Sequence, residues 1–409
     1  MMARILLSAY ACEPDRGSEP GVGWGWATEL ARVGHQVTVL TRAANRAAID
    51  SKAAPKNLRF VFFDLPRWTQ RMRQLPGGKA LYYVLWQWLA ARVVRRRFPS
   101  LPFDLVQHVT YVSVRFPSFM GSLGIPFYFG PVSGGEAVPP TLRAGFPAGA
   151  RCKEGLRDLS NRLVALDPLM RRTFRQASRI LVTRDTLPLL PHGIGSKVVQ
   201  ALAVGLPGRG PEPRETRRKI SQLRALYAGR LLHWKGVDIA LHAVALARDA
   251  GCDIHFTVVG DGPARERLVK LCGKLRLEGT VRWMGRVPQS QVGEFYRDAD
   301  VLLFPSLRDS GGMVVLEALS HGLPVITTNL GGPGAIANQS CGWMVMTEGR
   351  SPEAVARSVA DALVELGSSP ELLESLSRGA VKRAQQFTFA ALVRSVHPGV
   401  TKRSMVQWA

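Results

Sequence analysis

The sequence predicts an α/β protein made of two doubly wound, parallel-sheet domains in tandem. Three observations carry that expectation. Short continuous apolar runs alternate with helical patterns along the chain, as strands covered on both faces do. The alternation breaks once, at residues 204–219, where Pro, Gly and charge replace periodicity, and then restarts. A chain of 409 residues, 46% apolar and 21% charged, is long enough for two or three domains and apolar enough to fill their cores.

The elements follow in order. Strands are expected at 5–9, 36–41, 58–63, 105–108, 126–129, 179–182 and 197–201, with helices at 22–33, 79–97 and 152–176. After the break, strands at 223–228, 254–259, 280–284, 301–304 and 324–328 alternate with helices at 237–249, 263–275, 289–298 and 312–321. The expected domains are therefore 1–203 and 220–385, joined by a linker at 204–219, with 386–409 as a C-terminal segment. Ligands of such sheets sit beyond the carboxyl ends of the strands, so the chemistry is sought in those loops.

Composition narrows the function classes. The net charge is +23, and residues 1–200 hold 28 Lys and Arg against 12 Asp and Glu. Such a field attracts polyanions: nucleic acid, anionic lipid or phosphate-bearing substrates. An Arg-rich composition without a functional patch is the alternative. Nucleic acid is not expected as a partner, because no aromatic or groove-reading motif is interleaved with the basic residues. Cys12, Cys152, Cys252, Cys272 and Cys341 are scattered and form no C-x-x-C, which argues against a zinc site or a disulfide framework. Reduced thiols and the lack of a convincing secretory leader give an expected cytoplasmic location. Residues 81–94 are too interrupted to span a bilayer. They suit either an anionic membrane surface, with Trp86 and Trp88 at the interface, or a core helix with a solvated basic end.

Three loops carry candidate chemistry. After the first strand, glycines 21, 23 and 25 open a helix, letting backbone approach a phosphate or packing helix against sheet. After the first strand of the second domain, Arg230 and Lys235 precede a helix. Two fixed cations there can hold a diphosphate and stabilise its charge as it leaves. After the strand ending at Phe304, a Gly-Gly turn runs into an apolar helix, with Asp309 before it and Glu317 eight positions on. Backbone amides near Ser310, Gly311 and Gly312 can meet sugar hydroxyls or phosphate, and Glu317 can accept from two ribose hydroxyls. An N-cap Asp and a surface Glu are the plainer alternative. Asp298-Ala299-Asp300 matches a metal-diphosphate pattern, but joins a helix end to a buried strand and reads as structural.

The order and spacing of these motifs resembles the retaining glycosyltransferases of the two-domain GT-B fold, family 4 (glycosyl transferases group 1). The likeness is carried by the Pro20–Gly25 loop, Gly229-Arg230 through Lys235-Gly236 and Val259-Gly260-Asp261-Gly262-Pro263. It continues in Phe304-Pro305-Ser306 leading to Glu317-Ala318, and in His321-Gly322-Leu323-Pro324-Val325-Ile326. It covers nearly the whole chain and is most specific over 223–330.

The resemblance implies two Rossmann-like domains facing a cleft, with helices of about 370–397 turning back toward the first. It implies a nucleoside-diphosphate sugar as co-substrate, a saccharide or lipid-linked saccharide acceptor, and no metal or other cofactor. An anionic membrane surface, on the inner face of the membrane, is a further expected partner. Arg230 and Lys235 would hold the diphosphate and Glu317 the ribose. Asp309, Ser310, Gly311 and Gly312 would face the donor sugar, with Gly21 and Gly23 also on the donor. The loop holding Val287 would cup the base. His108, at a strand end, would lie close to the reacting sugar, and Glu136 would stand on the acceptor side. The family's motif has glutamate where this chain has Asp309, one methylene shorter, so its contacts to the donor sugar should differ. A nucleotide-sugar epimerase and a non-catalytic sugar-nucleotide-binding partner in polysaccharide assembly are the rival functions.

Overall fold

The computed structural model describes residues 2–208 and 222–397. It divides into two compact units. The first comprises Met1–Gly135, Leu159–Pro207 and Phe389–Ala409; the second comprises Glu136–Asp158 and Gly208–Thr388. Most of the expected linker, residues 209–219, lies outside the described residues.

Among the described residues, the first unit holds a seven-stranded parallel sheet in the order β3-β2-β1-β4-β5-β6-β7. Its strands are β1 Arg4–Ser8, β2 Gln36–Thr41, β3 Leu58–Phe62, β4 Leu105–His108, β5 Phe127–Val132, β6 Arg179–Val182 and β7 Val198–Gln200. The second sheet runs β10-β9-β8-β11-β12-β13. Its strands are β8 Leu223–Ala228, β9 Ile254–Val259, β10 Val281–Gly285, β11 Val301–Phe304, β12 Val325–Thr328 and β13 Gly342–Val345. All pairings between these strands are parallel. In each sheet the strand order reverses beside the first strand, between β1 and β4 and between β8 and β11. That switch point is where open α/β sheets bind ligands.

The apolar runs become strands because both faces of each sheet are covered. Ile5, Leu6 and Leu7 of β1 are fully buried, as are Val301, Leu302 and Leu303 of β11. In the first unit Trp86, Phe127, Phe129 and Phe174 belong to one buried cluster. Each fully buried aromatic of this kind contributes roughly 2–3 kcal/mol over an exposed one.

Several boundaries differ from expectation, each for a local reason. The helix expected at 152–176 is two, Ala148–Leu163 and Pro168–Gln176. Asp167 caps the second, accepting from the amides of Leu169 and Met170, and Pro168 occupies its first turn. The first helix starts at Ser18 rather than near residue 22, so glycines 21, 23 and 25 lie within it rather than at its opening. The short strand β13 was not anticipated. Residues 136–158, expected in the first domain, cluster with the second unit. Of the C-terminal helices, Pro370–Gln385 belongs to the second unit and only Phe389–Val396 to the first. There the Phe389 ring fills the space left by Gly25, 2.1 Å from where a side-chain carbon would stand.

The helix Gly78–Arg97 is anchored in the first unit's core by Trp86, whose Nε1 donates to the Phe63 carbonyl at 2.9 Å. Trp86 is therefore not available to a membrane interface, whereas Trp88 is exposed. No helix among the described residues is long and apolar enough to cross a membrane.

Candidate functional site

The two loops that flank the second sheet's switch point are locked together by backbone. Gly236 closes the β8 loop at φ +70°, and a side-chain carbon there would fall 1.9 Å from the Pro305 carbonyl oxygen. Only glycine admits both that approach and that backbone. The amide of Leu307 donates to the Trp234 carbonyl at 2.9 Å, completing the tie between the β8 and β11 loops.

This lock brings Lys235 and Asp309 into contact. Lys235 Nζ donates to Asp309 Oδ2 at 2.5 Å, and the side chains are only 16% and 18% exposed. Asp309 Oδ1 accepts from the amides of Gly311 (3.1 Å) and Gly312 (2.9 Å). Burial pushes the Asp309 carboxyl up, but Lys235 and the two amides outweigh it and hold the group below the usual carboxylate range. Lys235 Nζ also lies 5.2 Å from the Phe304 ring centre. The amides of Gly311 and Gly312, expected to face a ligand, are thus turned onto the Asp309 carboxylate. One small carboxylate occupies a set of donors able to bind a phosphate oxygen. Ser310 sits half-buried in the same turn.

Glu317 stands about one turn into the helix Met313–Ser320. It is no free surface group: Oε2 accepts from the Tyr296 hydroxyl at 2.9 Å and Oε1 from Gln289 Nε2 at 3.3 Å. Burial raises its carboxyl above the usual range, opposed by those two hydrogen bonds. Neither Tyr296 nor Gln289 was singled out in the sequence, although both lie on the helix Gln289–Asp298. Val287 lies half-buried in the loop after β10, just before that helix. Arg230 is exposed, with its backbone carbonyl accepting from the Tyr227 hydroxyl at 3.2 Å, so its side chain is presented to solvent.

In the first unit, His108 does end β4 at the switch point, but it is fully buried. Its Nε2 lies 3.0 Å from both the Tyr83 hydroxyl and Gln87 Nε2. Burial drives its pKa down to about 3, so the ring is neutral. In this conformation it organises the core below the β4 loop and does not offer an edge to a sugar. Gly21 and Gly23 have packing reasons of their own. Side-chain carbons there would stand 2.0 Å from the Arg16 carbonyl and 2.1 Å from the Ala11 carbonyl. Glu136 is 3% exposed and groups with the second unit. Glu136 is therefore a buried carboxylate of the second unit rather than a solvated loop group.

In the Asp298-Ala299-Asp300 run, Asp300 is buried and held by an ion pair. Asp300 receives the Arg224 guanidinium at 2.9 and 3.1 Å and the Arg224 amide at 3.0 Å. No three metal-ligating side chains converge among the described residues. The sequence reading also missed Glu154, which pairs with Arg308 and His233 beside the Lys235–Asp309 contact.

Residues 211–383 match the family model described as "Glycosyl transferases group 1". A D-inositol 3-phosphate glycosyltransferase of Streptomyces griseus is 34% identical over 196 residues, 44% of this chain and 40% of that protein. The chain thus spans about 40% of the length of the curated relatives it matches. Solved structures resemble nearly the whole fold. Sucrose-phosphate synthase from Thermosynechococcus elongatus matches at TM-score 0.62 and 16% identity, covering 97% of this chain and 98% of that one. Anabaena HepE, solved with UDP and glucose, matches at TM-score 0.57 and 16% identity, covering 97% and 99%. The chain has the GT-B fold, and its residues 211–383 are similar to the glycosyl transferases group 1.

Proposed function

We propose that the protein transfers a sugar from a nucleoside-diphosphate sugar to a saccharide or lipid-linked saccharide, with retention at the anomeric carbon and without a metal ion. The observation that carries this reading is the meeting of Lys235 and Asp309 across the switch point, within the segment that matches the family. The pair brings together a cation, a carboxylate and two glycine amides at the place where the fold class binds ligands. A diphosphate oxygen is chemically equivalent to Asp309 Oδ2 as an acceptor for Lys235. Arg230, exposed on the same loop, adds a second cation. Together they neutralise the charge that grows on the departing diphosphate. Glu317, already an acceptor for Tyr296 and Gln289, takes the ribose hydroxyls.

The step breaks the bond from the anomeric carbon to the diphosphate oxygen and forms one to the acceptor oxygen on the same face. The acceptor's proton passes to a phosphate oxygen of the leaving group. HepE was solved with UDP and glucose, which supports a nucleotide-sugar donor. The relatives are named for D-inositol 3-phosphate, but the match covers 40% of their length, so the acceptor is assigned only as a saccharide class. Synthesis of a polysaccharide or glycoconjugate in the cytoplasm, at an anionic membrane surface, is the proposed setting. The exposed Trp68, Leu75, Leu81 and Trp88 among basic residues favour such a surface.

The experiment is to screen UDP- and GDP-sugars for thermal protection, which reaches about 2.7 kcal/mol at a hundredfold excess over Kd. The protecting donor is then incubated with a saccharide panel. A glycosylated product supports transfer. An epimer formed from donor alone, or protection with no turnover across the panel, supports a rival function.

A further inference from the structure

Beside the Lys235–Asp309 contact, a second polar tie joins the same two loops through a residue from a distant part of the chain, as an ion pair to one loop and a hydrogen bond to the other. Glu154 lies on the helix Ala148–Leu163, in the segment Glu136–Asp158 that clusters with the second unit. Its carboxylate side chain is 3% exposed. Oε2 accepts from the Arg308 guanidinium, and Oε1 lies 3.4 Å from His233 Nε2. Arg308 is the residue before Asp309, and His233 is two residues before Lys235.

Aromatic contacts brace both side chains. The Arg308 guanidinium carbon lies 4.1 Å from the Trp234 ring centre. The His233 ring meets Trp234 edge-on at 4.5 Å and Phe146 edge-on at 4.7 Å. Phe146 belongs to the same inserted segment as Glu154. The pairing is consequential because the groups are buried: burial first, and Arg157 second, press the Arg308 pKa down to about 10. A guanidinium so placed depends on its carboxylate, and removing one partner of a buried pair leaves the other uncompensated.

We infer that Glu154 is a positioning residue for the diphosphate-binding loops, holding His233 and Arg308 so that Lys235 and Asp309 are presented to the donor in fixed register. The inference rests on the donor-site reading proposed above. Sites of this kind lose function when their supporting contacts loosen, without loss of the fold.

The test compares wild type with Glu154→Gln, which keeps the shape and removes the charge. In hydrogen exchange of the ligand-free protein, residues 229–236 and 306–312 should exchange about tenfold faster in the variant, with the rest unchanged. UDP or GDP affinity, measured by calorimetry, should fall about tenfold, and in a Lys235→Ala background the same change should cause no further loss. Unchanged exchange in both loops of a folded variant, or an additive loss in the double variant, would overturn the inference. If Glu154→Gln does not fold, Glu154→Asp, which keeps the charge but shortens its reach, carries the same measurements. If the wild type binds no nucleoside diphosphate, the proposed function fails, and the exchange result alone decides the role of Glu154.

Discussion

Lys235 Nζ and Asp309 Oδ2 meet at 2.5 Å, joining the loops that leave the two central strands of the second sheet. The pair is nearly enclosed, so each charge relies on the other. Lys235→Met should lower stability by about 3 kcal/mol, because it strands a buried carboxylate. The double variant with Asp309→Asn should recover part of that loss. Denaturant melts of the two single variants and the double variant measure the coupling, and strict additivity would mean that the contact is not made in solution.

Glu317 should trade stability for binding. Burial raises its carboxyl pKa, so its ionised form costs stability above the raised value, and the cost is relieved as pH falls below the ordinary one. Glu317→Gln should raise the melting temperature near pH 7 while weakening UDP or GDP binding at least tenfold, as expected when a buried functional charge is removed. Thermal melts with and without nucleotide separate the two effects.

Gly236→Ala places a carbon against the Pro305 carbonyl and forces a residue with a side chain to φ +70°. The two loops must then part. A stability loss of about 2 kcal/mol is expected. Nucleotide affinity should fall by more than that of a comparably destabilised core variant, measured by titration at a temperature where both remain folded.

His108 and His397 are both neutral in the fold, with burial driving each to a pKa of about 3 from 6.5. Unfolding lets them take up protons, so their contribution to stability is complete above pH 6.5 and declines as pH falls toward 3. His108→Phe removes one of these titrations and leaves a Gln87 N–H short of an acceptor, while Tyr83 keeps the Thr110 carbonyl at 3.3 Å, at a cost of about 2 kcal/mol at neutral pH. Its stability should decline less steeply with acid than that of wild type, as melts from pH 7 to 4 would show.

Much of the architecture was legible because strand burial writes itself as unbroken apolar runs: the strands at Gln36–Thr41, Leu105–His108, Leu223–Ala228 and Val301–Phe304 stand where the sequence places them. Lys235 and Asp309 were legible as residues of adjacent strand ends, since a doubly wound order sets those ends side by side. Their direct pairing was not, because local spacing carries no information on a contact 74 residues apart. The same limit hid Glu154, whose partners His233 and Arg308 lie 79 and 154 positions away. His108 was legible by position, but its enclosure by Tyr83 and Gln87 depends on a neighbouring helix that no strand-end rule describes.

The most direct test of the donor-site claim is a calorimetric titration of UDP and GDP into wild type and Lys235→Ala, each confirmed to be folded. Saturable binding of one nucleotide to the wild type, weakened about tenfold or more in the variant, is the expected result for a charge-assisted phosphate contact. Equal affinity in the two proteins would remove Lys235 from any diphosphate site, and absence of binding by the wild type would contradict the proposed function.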